Sequence, residues 1–270
     1  MTLAVAYPSG AVCGLALDHR DSLRVAARAR DYPADDPSLR SLKTELARGL
    51  AHQASVVLLD TELGIDAMGE LAGTPLVIPL EAQGYETVGK GRLTTLLSDV
   101  DPERAAVLGA VGCKLLLPYR PDLADAARKQ EETAAAVIAS CRAAGMLSII
   151  EPLVYGEVPA LGAKVVETAK RLARLGPDLL KLQHPGDAYY CARLTDVCGA
   201  VPWVLLGGGT NEETFLAQLR DACTAGARGY IVGRTAWDMA LISDEQARER
   251  AIAGRAAFLA RCRSVVEATP

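Results

Sequence analysis

The chain has 270 residues, a formal net charge of −4, and a composition that is 50% hydrophobic and 23% charged. That is ordinary for a globular protein with a large core, and its mild acidity excludes the basic stripe of a nucleic-acid surface. No apolar run approaches the ~20 residues that a membrane-crossing helix needs.

In chain order, the first strand is expected at Cys13–Asp18 (CGLALD), followed by a helix with leucines at helical spacing over Leu39–Gln53. Strands follow at Ser55–Asp60 (SVVLLD) and Pro75–Leu80 (PLVIPL). Asp101-Pro102 then reads as an N-cap with proline at the first helical position. A fourth strand, Cys113–Tyr119, leads into an alanine-rich helix over Leu123–Gly145 that closes on a glycine suited to a helix end. The fifth strand is Leu147–Leu153, a helix of the same design spans Gly162–Gly176, and the sixth strand is Asp178–Gln183. The seventh, Pro202–Gly208, precedes a helix that opens on Thr210 and Glu213 at capping-box spacing and closes on Gly226. The eighth is Gly229–Arg234.

Each strand is nearly continuously apolar, as parallel strands covered on both faces are. Eight of them alternating with helices over about 250 residues predict an α/β fold, a (β/α)8 TIM barrel. The rival is a doubly wound open sheet, but the first strand is followed by ALDHRDSL rather than a Gly-x-Gly-x-x-Gly turn. With no linker or low-complexity segment, residues 1–270 are expected to form a single domain.

In such a barrel the C-terminal strand ends face the active site, and polar residues collect there. Asp18 and Arg20 follow the first strand, Asp60 ends the second, Lys114 lies in the fourth, Glu151 ends the fifth and Lys181 lies inside the sixth. A lysine inside the apolar stretch DLLKLQ would cost several kcal/mol to bury unpaired, which marks it as a candidate nucleophile. Desolvation and a second cation, for which Lys114 is the candidate, would favour a neutral amine able to attack a carbonyl and form a Schiff base. Glu151, on the strand between the two lysines, is either a proton-transfer group or a salt-bridge acid that keeps the lysines compatible. Gly207, Gly208 and Gly209 supply free backbone N–H groups before a helix, and Gly233-Arg234 ends the next strand. The loops after the seventh and eighth strands are the usual phosphate site of these barrels. Trp203 and Trp237 read more readily as packing residues, and His19 reads equally as a proton carrier or a polar rim residue.

These stretches, in this order, resemble the class I tagatose-1,6-bisphosphate aldolases and the related sulfofructosephosphate aldolases, which are Schiff-base-forming TIM-barrel enzymes. The resemblance covers most of the chain, through LALDHRDSLR, VVLLDTELG, GYETVGKGRL, CKLLLPYRPD, SIIEPLVY, DLLKLQHP, PWVLLGGGTNEETF and GYIVGRTAW. It implies that Lys181 forms the Schiff base, that Glu151 transfers protons near the cleaved bond and that Lys114 assists. It also implies that Gly207, Gly208, Gly209, Gly233 and Arg234 hold a phosphate. With Asp18, Arg20 and Gln183 as further substrate contacts, the expected reaction is reversible cleavage of a ketose phosphate or bisphosphate to dihydroxyacetone phosphate and an aldehyde. This sequence departs from the family pattern in the short segment after the fifth strand, YGEVPALGAK, which can line the distal end of the substrate, and at three residues. Gln183 stands where Lys-Val-Glu-x-Pro has glutamate, Gly207 where a serine is usual, and His19 where a glutamine is usual. These changes leave the aldehyde partner open. A sugar-phosphate sensor on the same barrel, or another Schiff-base lyase or transaldolase, are the alternatives.

Seven scattered cysteines with no C-x-x-C pair, and residues 1–10 without a basic segment or a long apolar one, point to reduced thiols in the cytoplasm and to no signal peptide. Three histidines without ligand spacing give no metal site, and no cofactor is expected. The expected partner is a small sugar phosphate, not a nucleic acid or a membrane, and the chain is expected to assemble as a homo-oligomer.

Overall fold

The computed structural model describes residues 10–269; residues 1–9, which carry most of the stretch read for a signal peptide, lie outside them. Eight parallel strands close into a barrel: β1 (Val12–Ala16), β2 (Val56–Leu58), β3 (Leu76–Pro79), β6 (Ala110–Tyr119), β7 (Leu147–Val154), β8 (Leu179–Leu182), β9 (Trp203–Leu206) and β10 (Gly229–Val232), with β10 pairing back on β1. All eight expected strands are present, and the fold is a (β/α)8 barrel. Between β3 and β6 an antiparallel hairpin, β4 (Glu86–Val88) and β5 (Gly91–Leu93), projects from the strand ends. Glu86, Thr87 and Arg92 are exposed and polar, and at three residues each the two strands are too short to carry an apolar signature.

The helices are α1 (Asp21–Ala29), α2 (Asp36–Leu50), α3 (Pro102–Val107), α4 (Ala124–Ala143), α5 (Leu161–Ala173), α6 (Ala188–Cys198), α7 (Glu212–Thr224), the short α8 (Arg234–Trp237) and α9 (Glu245–Glu267). Asp101 caps α3 as expected, accepting from Arg104 N. The cap of α7 is corrected: it is Asn211, which accepts from Thr214 N, and Thr210 lies one residue outside the helix entrance. Both side chains are good caps, and only the backbone path decides between them.

Strand residues alternate between two cores. One set packs outward beneath the helices, for example Leu15, Val57, Ile78, Leu115, Ile150, Leu180, Leu205 and Tyr230. The other fills the barrel interior: Val12, Ala16, Val56, Leu58, Val77, Ile149, Leu179, Val204 and Ile231. The period of two in a strand then fixes which residues follow on the inward face toward the C-terminal mouth. Val12 and Ala16 lead to Asp18, Val77 leads through Pro79 to Glu81, Ile149 to Glu151, and Leu179 to Lys181. A charge inside DLLKLQ is therefore inward by parity, capping the apolar interior where the barrel opens.

Candidate active site

Lys181, on β8, is 5% exposed and places its Nζ 2.8 Å from Oε1 of Glu151 on β7. The other oxygen of Glu151, Oε2, lies 3.7 Å from Nζ of Lys114 on β6. Lys114 is bound more closely by two further acids, Asp18 through Oδ2 at 2.7 Å and Glu81 through Oε1. Arg20, buried at the start of α1, donates from Nη2 to the backbone carbonyl of Glu81 at 2.7 Å. Its Nε is buried without an acceptor among the described residues. Asp18, Glu81 and Glu151 thus face Arg20, Lys114 and Lys181, and with Gln83, Tyr85, Ser22 and others they line a cavity of about 340 Å³.

Burial alone would lower the Lys114 pKa, but Asp18, Glu81 and Glu151 hold it well above the ordinary lysine range. Burial would likewise raise the Asp18 carboxyl, yet Lys114 beside it draws it well below the usual carboxylate range. This corrects one expectation. Lys114 is not an uncompensated second cation acting on Lys181, because three carboxylates enclose its charge. It is a locked ammonium, whereas Lys181 faces a single close carboxylate, that of Glu151.

Asp60, at the end of β2, is engaged away from the cavity. Its Oδ2 pairs with the buried Lys43 of α2 and its Oδ1 accepts from Glu62 N at 3.0 Å and Leu63 N at 2.6 Å. Burial lowers the Lys43 pKa against the pull of Asp60. Gln183 is also spent on the scaffold, its Oε1 accepting from Val154 N at 2.7 Å, so that it ties the end of β8 to β7. His19 stands edge-on to Trp237, with ring centroids 5.1 Å apart. Its ring occupies the space that any side chain on Gly233 would need. Burial lowers its pKa to about 3, helped by Lys181, Lys43 and Lys114 and opposed by Asp18, so the imidazole is neutral.

The glycine loop and Arg234 do come together. Arg234 Nη2 donates to the Gly208 carbonyl at 3.3 Å, and Thr235 Oγ1 donates to the Gly207 and Thr210 carbonyls at 3.3 and 2.8 Å. Gly209 has φ of +75°, and a Cβ there would lie 2.9 Å from Cζ of Arg234, so only glycine admits the guanidinium this close. The N–H groups of Gly208 and Gly209 meet no acceptor among the described residues. Gly209 and Arg234 line a second cavity, which shares Ser22 with the first.

Two residues of this constellation, Glu81 and Lys43, were not singled out from the sequence. Glu81 is two residues past the apolar end of β3, on the inward parity. Lys43 stands in the apolar stripe Leu39, Leu42, Leu46 and Leu50 of α2, the same kind of anomaly that exposed Lys181.

Residues 13–239 match the profile of the DeoC/LacD family aldolases. The chain belongs to this family. It is a class I aldolase, a lyase. Among curated relatives, the tagatose 1,6-diphosphate aldolase of Staphylococcus aureus (strain MSSA476) is 29% identical over 269 residues, covering 86% of this aldolase and 82% of the relative. Among solved structures, a Schiff base forming fructose-1,6-bisphosphate aldolase superposes with a TM-score of 0.65 at 20% identity, over 100% of both chains. The fructose-bisphosphate aldolase of Plasmodium falciparum gives 0.72 at 15% identity, over 99% of this aldolase and 92% of that chain. At these identities the structural likeness concerns the fold. Among the described residues, no helix is long and apolar enough to cross a membrane.

Proposed function

We propose that this aldolase reversibly cleaves a ketose phosphate or bisphosphate to dihydroxyacetone phosphate and an aldehyde, with Lys181 as the Schiff-base lysine. The observation that carries the reading is the buried pair of Lys181 Nζ and Glu151 Oε1 at 2.8 Å at one side of an open cavity, with Lys114 held protonated beyond it. A nucleophilic amine needs a neighbouring base to relieve it of a proton, and Glu151 is that neighbour.

Lys181 attacks the C2 ketone, Glu151 relays the proton to the carbinolamine hydroxyl, and water leaves as the iminium forms. The iminium draws electrons from the C3–C4 bond. As that bond breaks, Glu151 takes the proton of the C4 hydroxyl and the aldehyde departs. The enamine is then protonated at C3, and water returns to C2 to release dihydroxyacetone phosphate and the free amine. A positioned acid–base group of this kind contributes typically 10²–10⁴-fold. Lys114 keeps its charge throughout and steadies the developing alkoxide. Arg20, with a donor to spare, orients a substrate hydroxyl, and the Gly208, Gly209 and Arg234 corner receives the phosphate through backbone N–H groups and a fixed cation.

The test is reduction with borohydride in the presence of dihydroxyacetone phosphate, followed by peptide mapping. The adduct is expected on the peptide that holds Lys181. An adduct on Lys114 would reverse the roles of the two lysines, and none at all would overturn the Schiff-base reading.

A further inference from the structure

Glu81 takes no step in that reaction, yet it is tied down more firmly than either residue that does. Both of its carboxylate oxygens are occupied, Oε1 by the Lys114 ammonium and Oε2 by the backbone N–H of Leu116 at 3.1 Å. Leu116 lies two residues beyond Lys114, so one carboxylate grips the side chain and the backbone of the same strand. The main chain of Glu81 is itself fixed. Arg20 donates to its carbonyl at 2.7 Å, and it forms a bridge with Leu96. Its neighbours are held by Ala82 N to Thr95 O and Leu97 N to Leu80 O, both 2.8 Å. Glu151, by contrast, is the most distant of the three carboxylates around Lys114, and its nearer partner is Lys181.

We propose that Glu81 is a positioning residue that holds the Lys114 ammonium away from Glu151, leaving Glu151 to exchange protons with Lys181 and the substrate. The assignment rests on the roles of Lys181 and Glu151 given above. With the Glu81 charge removed, Lys114 keeps one close anion, Asp18, and turns its remaining hydrogen-bonding capacity toward Glu151. A cation drawn closer favours the ionised carboxylate, so Glu151 becomes a weaker base. The other groups that face this pair are Asp18 and His19 at the end of β1, Arg20 at the start of α1, Tyr85 beyond β3 and Lys181 on β8. Of these only Arg20 loses a neighbouring charge, its Nη2 lying 3.9 Å from Oε1 of Glu81, and it keeps its hydrogen bond to the Glu81 carbonyl.

Glu81→Gln preserves shape and an oxygen for the Leu116 N–H. The readout is the rate at which dihydroxyacetone phosphate becomes trapped by borohydride on Lys181, measured by intact mass across pH. The expected result is a tenfold or greater slowing at neutral pH, with the acidic limb of the rate profile moved to lower pH. In a Lys114→Met background the same substitution is expected to change the rate by less than about twofold, because residues that act through one another are not additive. Each trapping rate is normalised to the fraction of variant that melts cooperatively, so that a poorly folding variant does not mimic the slowing. An equal slowing in both backgrounds, or a slowing with an unmoved pH profile, overturns the assignment while leaving Lys181 as the nucleophile. A wild-type protein that forms no adduct overturns both.

Discussion

Replacing Lys114 with methionine removes the cation on which Asp18, Glu81 and Glu151 converge. The three acids do not suffer equally. Glu151 retains Lys181 at 2.8 Å, and Glu81 retains the Leu116 N–H and Arg20, whose Nη2 is 3.9 Å from its carboxylate. Asp18 loses its 2.7 Å partner and is left, 7% exposed, with a neutral His19 beside it and only the more distant Lys181 as a cation. One uncompensated buried charge costs about 3–5 kcal/mol when its partner is removed. At roughly 2–4 °C per kcal/mol for a chain of this size, the melting temperature is expected to fall by about 6–20 °C. The sign of the pH dependence sharpens the test. In the wild type the Asp18 pKa is depressed, so its contribution is full above the ordinary carboxylate pKa and is lost only as pH falls below it. In the variant, burial without Lys114 raises the Asp18 pKa, and the folded state takes up a proton before the unfolded state does. The stability gap between the two proteins, measured by urea denaturation, should therefore narrow steadily from pH 7 to pH 4. A gap under about 1 kcal/mol at pH 7, or one that does not shrink in acid, would refute the idea that Lys114 is the counter-charge of this cluster.

Lys181→Met should abolish borohydride trapping while the protein still melts cooperatively, because Glu151 keeps Lys114 within 3.7 Å; residual turnover would remove Lys181 from the mechanism. Arg234→Ala should raise KM for phosphorylated ketoses about ten- to a hundredfold, since a charge-assisted contact is worth about 1.5–3 kcal/mol and each ~1.4 is tenfold. It should matter far less for an unphosphorylated ketose in the same steady-state assay, and equal losses on both would make Arg234 a scaffold residue. His19 is held neutral in the fold, with its pKa lowered from 6.5 to about 3. The unfolded chain therefore binds the proton first, and the contribution of His19 is full above pH 6.5 and lost as pH falls toward 3. His19→Gln should accordingly lose less stability than the wild type between pH 7 and pH 4, a difference that urea midpoints will read. EDTA should leave turnover unchanged, because the space where three carboxylates converge is filled by the Lys114 ammonium; loss of activity that zinc restores would refute this.

What the sequence determined by itself was local. Eight short apolar runs separated by helical periodicity announce a barrel, because a strand buried on both faces must be apolar throughout. Lys181, Lys114 and Glu151 stood out because a charge inside or at the end of such a run is an anomaly visible without knowing its neighbours. Glu81 follows PLVIPL at a point where a strand reads as ending, so it broke no local pattern; Lys43 interrupts the leucine stripe of α2 only at helical spacing, where charges adjacent in sequence hide the anomaly. The β4–β5 hairpin, with strands of three residues, broke none. The pairing of charges belonged to the tertiary structure alone. Lys114 meets Glu81 across 33 residues of chain because β3 and β6 are neighbours in the barrel with Pro79 in register with Lys114. The same closure spends Gln183 on Val154 and Asp60 on Lys43, and surrounds Lys114 with acids while leaving Lys181 one. Which lysine is enclosed by three carboxylates and which meets one depends on distances of a few ångströms between strands. Coulombic and hydrogen-bond energies vary steeply over that range, and residue order along the chain does not encode it.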